Sequence, residues 1–154
     1  MAYRSLRGVL LLVVVLPAWT LPAHAGLGGD AASVLADATE MHATVNSVSQ
    51  QLYTIEEMTA EPGMRVREYL NREGIVFAVN WAGPVLPDLQ RLLGTHYAEY
   101  TAALLASNHS GLQRSVRVST GDLVVESGGH LRAYSGRAYL PALLPAGVPL
   151  TELN

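Results

Sequence analysis

The stretch from Gly74 to Tyr100, GIVFAVNWAGPVLPDLQRLLGTHYAEY, constrains the fold more than any other part of this chain. Ile75 to Trp81 is rich in β-branched and aromatic residues and too short for an independent helix, so it predicts a strand. Alternation with period two assigns Ile75, Phe77, Val79 and Trp81 to one face. That face holds the only Phe of the chain and the only Trp after residue 25, so it is expected to face the core. Val76 and Ala78 keep the opposite face apolar, which suits a central strand. Gly83-Pro84 ends the ladder, because proline has no N–H to donate. Pro87 and Asp88 suit a helix start. Leu89, Leu93, Tyr97, Tyr100 and Leu104 then form one helical stripe to lie on the sheet. Gly94 interrupts that stripe at a cost of about 1 kcal/mol relative to Ala. It marks either a break between two short helices or a close packing contact.

The rest of the chain supplies partners for these two elements. Gly26 to Gly29 reads as a flexible leader and Asp30 as an N-cap. Val34, Ala38, Met41 and Val45 predict a helix over 31–46. Leu52–Thr59 and Met64–Asn71 read as strands around Glu61-Pro62-Gly63. A two-residue loop would set Glu57 opposite Glu68. A three-residue loop sets Glu57 opposite Arg67, and a four-residue loop brings Glu56 there. Opposed charges on paired strands contribute roughly 0.2–1 kcal/mol, which favours one of the longer loops. Asn71 to Gly74 turns the chain into the strand above, completing a three-stranded meander. Ser107 to Gln113 is a polar loop in which Asn108-His109-Ser110 matches a glycosylation sequon. Ser115–Ser119 and Asp122–Glu126 are short strands, Gly128-Gly129 suits a tight hairpin turn, and His130–Leu140 is a returning strand with Gly136 a candidate bulge. The tail from Pro141 to Pro149 is too proline-rich for a regular element, and its leucines are expected to pack across the domain. The fold class is therefore α+β: an N-terminal helix, an antiparallel three-stranded meander, a helix, then about three more strands.

The first 25 residues read as a secretory signal peptide, with Arg4 and Arg7, an apolar run from Gly8 to Leu16, and an Ala23-His24-Ala25 site cleaved after Ala25. The apolar run is short for a bilayer span. Residues 26–154 are expected to form one domain, exported to the periplasm or beyond the cell, with no membrane span after signal removal. They carry eight arginines against thirteen acidic residues, a formal −5 with neutral histidines, which speaks against a nucleic-acid partner. The chain has no cysteine, which excludes disulfides and thiol chemistry. It also has no lysine, which excludes Schiff-base catalysis and the phosphate loop that needs an ammonium group.

GIVFAVNWAGPVLPDLQRLLG together with DLVVESGGHLRAYSGRAYLPALLPAGV resembles the exported bacterial proteins grouped as domain of unknown function 2844. The Leu27-Gly28-Gly29 start and Arg67-Glu68-Tyr69 fit the same pattern. The resemblance implies export across the inner membrane of a Gram-negative bacterium and one compact domain. The family carries no established activity, so it assigns no residue a role.

For chemistry, His96 and Glu99 stand at i, i+3 and could share a metal, but the HExxH pattern is absent. No metal or cofactor is expected. Ser127, His130 and Asp122 could be written as a triad, without the GxSxG elbow. Glu56 and Glu57 are adjacent on a strand and point to opposite faces, a poor acid/base pair. A binding surface has more support. His130, Arg132 and Tyr134 would share one face of the last strand, joined by Arg67 and Tyr69 if these lie on the same sheet face. Arg and Tyr are frequent interface anchors, suited to a carboxylate, a glycan or a peptide. The expected function is a non-catalytic exported binding protein whose partner is another envelope or secreted protein, a peptide or a glycan. The alternatives are a small hydrolase using His130 or His96, and a structural envelope component.

Overall fold

The computed structural model describes residues 26–107 and 115–153; the segment read as a signal peptide, its expected cleavage site after Ala25 and the Asn108 sequon lie outside them. The architecture is α+β, built on one seven-stranded antiparallel sheet. The strands are β1 (Thr44–Ser49), β2 (Thr54–Ala60), β3 (Met64–Leu70), β4 (Val76–Gly83), β5 (Ser115–Ser119), β6 (Val124–His130) and β7 (Ala133–Tyr139). Their order is β1-β2-β3-β4-β7-β6-β5, so β4 is the central strand, as its two apolar faces require. None of the described helices is long and apolar enough to cross a membrane.

One face is covered by α1 (Ala31–Glu40), α2 (Leu89–Leu93) and α3 (Tyr97–Ala106). Val34 and Ala38 of α1, Leu92 and Leu93 of α2 and Tyr100 of α3 pack there against Val66, Val79, Trp81, Val125 and Ala138. Burying each large apolar side chain contributes roughly 1.5–3 kcal/mol, so this face holds most of the fold together. The C-terminal strap crosses the other face. Val148 and Leu153 bury Tyr53, Tyr69, Phe77 and Tyr139 in a second core at one end of the sheet. The strap is pinned by Tyr53 Oη donating to Glu152 at 2.7 Å and by Arg137 Nη1 donating to the Leu150 carbonyl at 2.7 Å.

Several expectations are corrected. The first helix ends at Glu40 and not at residue 46; His42 turns the chain at φ 50° and Val45 belongs to edge strand β1. All six residues of β1 are exposed, so no hydrophobic alternation marks it, and the meander has four strands. Gly26 to Gly29 is anchored. Leu27 is 2 % exposed, its N–H bonds to the Leu92 carbonyl, and Gly28 and Gly29 exchange bonds with Val76. A Cβ on Gly26, whose φ is +103°, would stand 2.3 Å from the Arg91 carbonyl oxygen. Gly94, at φ 53°, breaks the long helix into α2 and α3 with a 3₁₀ turn between them. Phe77 does not share a face with Val79 and Trp81. The β3–β4 register shifts at Tyr69/Leu70, so Leu70 opposes Val76 and Tyr69 opposes Ala78, and the extra residue, Phe77, joins the strap-side core. The β6–β7 hairpin turns at Leu131-Arg132, with Arg132 at φ 67°, and Gly128-Gly129 lie inside β6. Gly136 is not a bulge. It stands opposite Trp81, and a Cβ there would meet the indole at 2.3 Å.

Candidate functional site

The Glu61-Pro62-Gly63 loop closes with Ala60 opposite Met64, which makes it a three-residue loop and sets Glu57 opposite Arg67. That register propagates across the sheet. On the face away from the helices, alternation sorts the side chains into three rows running perpendicular to the strands. The row under the strap is apolar: Ile55, Tyr69, Ala78, Tyr139 and Val124. The middle row is polar from edge to edge: Asn46, Glu57, Arg67, Asn80, Arg137, Glu126, Arg117. The third row is small, apart from one arginine: Thr59, Arg65, Ala82, Ser135, Gly128, Ser115.

The middle row is organised by charge. Arg67 Nε donates to Glu57 at 2.5 Å. Glu126 accepts from Arg137 Nε and Nη2 at 2.7 Å through one oxygen and from Arg117 Nη1 at 2.6 Å through the other. Asn80 Nδ2 reaches the Leu153 carbonyl at 3.5 Å, tying the row to the strap. Among the described residues the third row has no such ion pairs. Small side chains there leave a trough beside the charged row, a concavity of about 680 Å³ lined by residues of β3, β4, β7, β6 and β5. Four arginines border it against one glutamate, Glu126, a positive surface on an acidic chain. The Arg117 side chain is 68 % exposed, and Arg65 is exposed without an ion pair among the described residues. Such a surface can bind anionic groups through charge-assisted hydrogen bonds.

A second polar cluster lies under the helices. Glu68, on β3, is fully buried, and neither of its carboxyl oxygens has a hydrogen-bond partner. Burial, then the neighbouring Asp37 and Glu56, push its carboxyl up to about 8, so it is protonated at neutral pH. Asp37 of α1 is also buried. Burial raises it to about 6 against the opposing pull of Arg91, whose Nη1 lies 3.4 Å from Asp37 Oδ1. This cluster is sealed by α1, and its effect is on the docking of that helix.

Of the residues the sequence singled out for binding, only Arg67 lines the trough. Tyr69 shares its face but is 1 % exposed beneath the strap, 5.9 Å from Tyr53 and 6.2 Å from Phe77 between ring centroids. His130 ends β6 and Arg132 occupies the hairpin turn, both exposed beyond the trough. Tyr134 is three residues from Arg137 on β7, so it points to the helix side. The expected shared face of His130, Arg132 and Tyr134 does not form, because the hairpin turns three residues later than Gly128-Gly129 would have it. The paper triad does not assemble either. Asp122 and His130 flank opposite ends of β6, eight residues and roughly 26 Å apart along a strand, with Ser127 on the helix side. His96 Nδ1 does approach Glu99, at 3.5 Å, and Glu99 also accepts from Thr120. Among the described residues no three His, Asp or Glu gather as a metal site.

Arg65, Asn80, Arg117, Glu126 and Arg137 escaped the sequence reading. Each is a polar residue at an alternate position of a strand, a visible signal. That Asn80, Arg137, Glu126 and Arg117 meet in one row, with Arg65 in the next, needed the register of six strand pairs. Among curated proteins and among solved structures, none matches this chain. A family model described as a protein of unknown function, DUF2844, matches residues 23–153, and the chain belongs to that family.

Proposed function

We propose that this is an exported, non-catalytic binding protein whose binding surface is the strap-side face of the sheet between β3 and β5. One observation carries the reading: a polar row crosses all seven strands beside a trough floored by small residues, while the apolar row from Tyr69 to Val124 on that face is buried under the strap. Arg67 and Arg137 serve the fold through Glu57, Glu126 and the strap, whereas Arg65 and Arg117 are exposed around a 680 Å³ concavity, which stability does not require. Pockets of this size accept ligands or short segments of a partner. The partner is another envelope or secreted macromolecule, and export follows from the basic, apolar and small-residue order of the first 25 residues.

The test is a photo-crosslinking amino acid placed either at Ser135, in the trough, or at Leu105, 83 % exposed on α3, in the native host. Adducts from Ser135 and none from Leu105 are expected; the reverse pattern overturns the reading. N-terminal sequencing of the recovered chain should begin at Gly26. Light scattering should give a monomer where a structural envelope component would self-assemble.

A further inference from the structure

The binding reading leaves open what the trough accepts, and the placement of its charges narrows this. Its small-residue floor spans β4, β7, β6 and β5, with Ala82, Ser135, Gly128 and Ser115 in one row. Of the four bordering arginines, Arg67 and Arg137 are committed to Glu57, Glu126 and the strap. The two that offer outward donors stand at the ends. Arg65 on β3 is exposed with no ion pair among the described residues, and Arg117 on β5 keeps 68 % of its side chain exposed while one nitrogen holds Glu126. β3 and β5 are separated by four strand spacings in the order β3-β4-β7-β6-β5, roughly 19 Å at ~4.8 Å each, and Arg117 lies one row over from Arg65, so the two positions stand roughly 20 Å apart along a diagonal.

With both side chains held outward from strands that far apart, the two guanidinium groups favour a ligand longer than a small dicarboxylate. The separation fits an extended chain lying across the strands. In polyproline II geometry six residues advance about 19 Å, and residues i and i+6 return to the same side after two turns. In fully extended geometry six residues advance about 20 Å, and i and i+6 again share a side. Both conformations therefore deliver two carboxylates six residues apart to the two arginines. The intervening residues lie over a floor whose Ser115 and Ser135 hydroxyls can meet backbone polar groups. Among the described residues the trough offers no exposed aromatic platform on which a sugar ring could stack; Trp81, which borders it, is fully buried. That disfavours an acidic glycan.

Resting on the binding-face reading, we infer that the trough takes an extended acidic peptide segment of a partner protein, with carboxylates six residues apart held by Arg65 and Arg117.

Fluorescence anisotropy of the purified chain tests this with labelled Pro/Ser peptides carrying Glu at positions 1 and 7, Glu at 1 and 4, or Gln at 1 and 7. The 1,7 peptide should bind about fivefold or more tighter than the 1,4 peptide. Arg65→Gln and Arg117→Gln should each weaken it by about tenfold and abolish the spacing preference, with unchanged melting temperature. Binding should weaken with salt. Equal affinity for both spacings, a preference that survives Arg65→Gln, or displacement of the 1,7 peptide by a tenfold lower concentration of oligogalacturonate each overturns the inference. If the peptides fail while Ser135 still crosslinks a partner in the host, the ligand assignment falls and the binding face stands.

Discussion

Two adjacent cross-strand pairs, one on each face of the same two strands, meet opposite fates. On the open face Glu57 opposes Arg67 and the two form an ion pair. One residue away, under α1, Glu56 opposes Glu68, and Glu68 is buried with no hydrogen-bond partner. One register produces both. The attractive pair at a half-exposed site contributes little, because water screens it. The repulsive pair is relieved by protonation, because a buried carboxyl takes up a proton before it tolerates a neighbouring charge. The sheet thus carries a solvated charge ladder on one face and a pH-dependent helix contact on the other.

The largest expected effect tests the buried side. With the Glu68 carboxyl at about 8 when folded and 4.5 as its ordinary value, the folded state holds a proton that the unfolded chain releases between those pH values. Stability is therefore fully present below pH 4.5 and is lost as pH rises through 8, by about 3–5 kcal/mol. The raised Asp37 carboxyl adds to the same trend over a lower window, between 3.8 and about 6. Melting temperatures of the native chain should fall from pH 5 to pH 8.5, and Glu68→Gln should flatten most of that slope. A native profile already flat over this range removes the buried carboxyl from the account. Gly136→Ala drives a methyl into the Trp81 indole and should cost about 2–3 kcal/mol in urea unfolding, while Ser135→Ala, its neighbour on the open face, should stay within about 0.5 kcal/mol. Similar costs for the two would erase the contrast between the faces. Tyr53→Phe removes the hydroxyl bonded to Glu152 and should cost about 1 kcal/mol, with faster hydrogen exchange at Leu153; an unchanged exchange rate means the strap is held by apolar contact alone. The smallest effect belongs to the open pair: a double-mutant cycle with Glu57→Gln and Arg67→Gln should return a coupling of about 0.2–1 kcal/mol.

The fold was legible wherever a residue's local preference and its tertiary role agree. Ile75 to Trp81 had to be a strand, Gly83-Pro84 had to end it, and Asp88 caps α2 by accepting from the Arg91 N–H. β1 was missed because TVNSVS is exposed on both faces, and exposure erases the alternation by which strands are read. The Gly128-Gly129 turn was misread because two glycines mark positive φ or close approach equally well. A Cβ on Gly129 would stand 2.4 Å from the Ala133 carbonyl oxygen, inside the sheet. The turn at Leu131-Arg132 leaves His130 and Arg132 beyond the trough and Tyr134 on the other face, and brings Arg137 opposite Glu126 in the middle row.

The sequence alone determined that the chain is α+β, that β4 is central, that thiol and ammonium chemistry are excluded, and that Glu57 meets Arg67 once the loop has three residues. These depend on side-chain periodicity, composition and short-range charge, all local quantities. Tertiary structure decided which arginines share a row, that Phe77 changes sides at a bulge, and that Glu68 is buried next to Asp37. Each of these depends on register summed over several strands, and a shift of one residue moves every side chain to the other face.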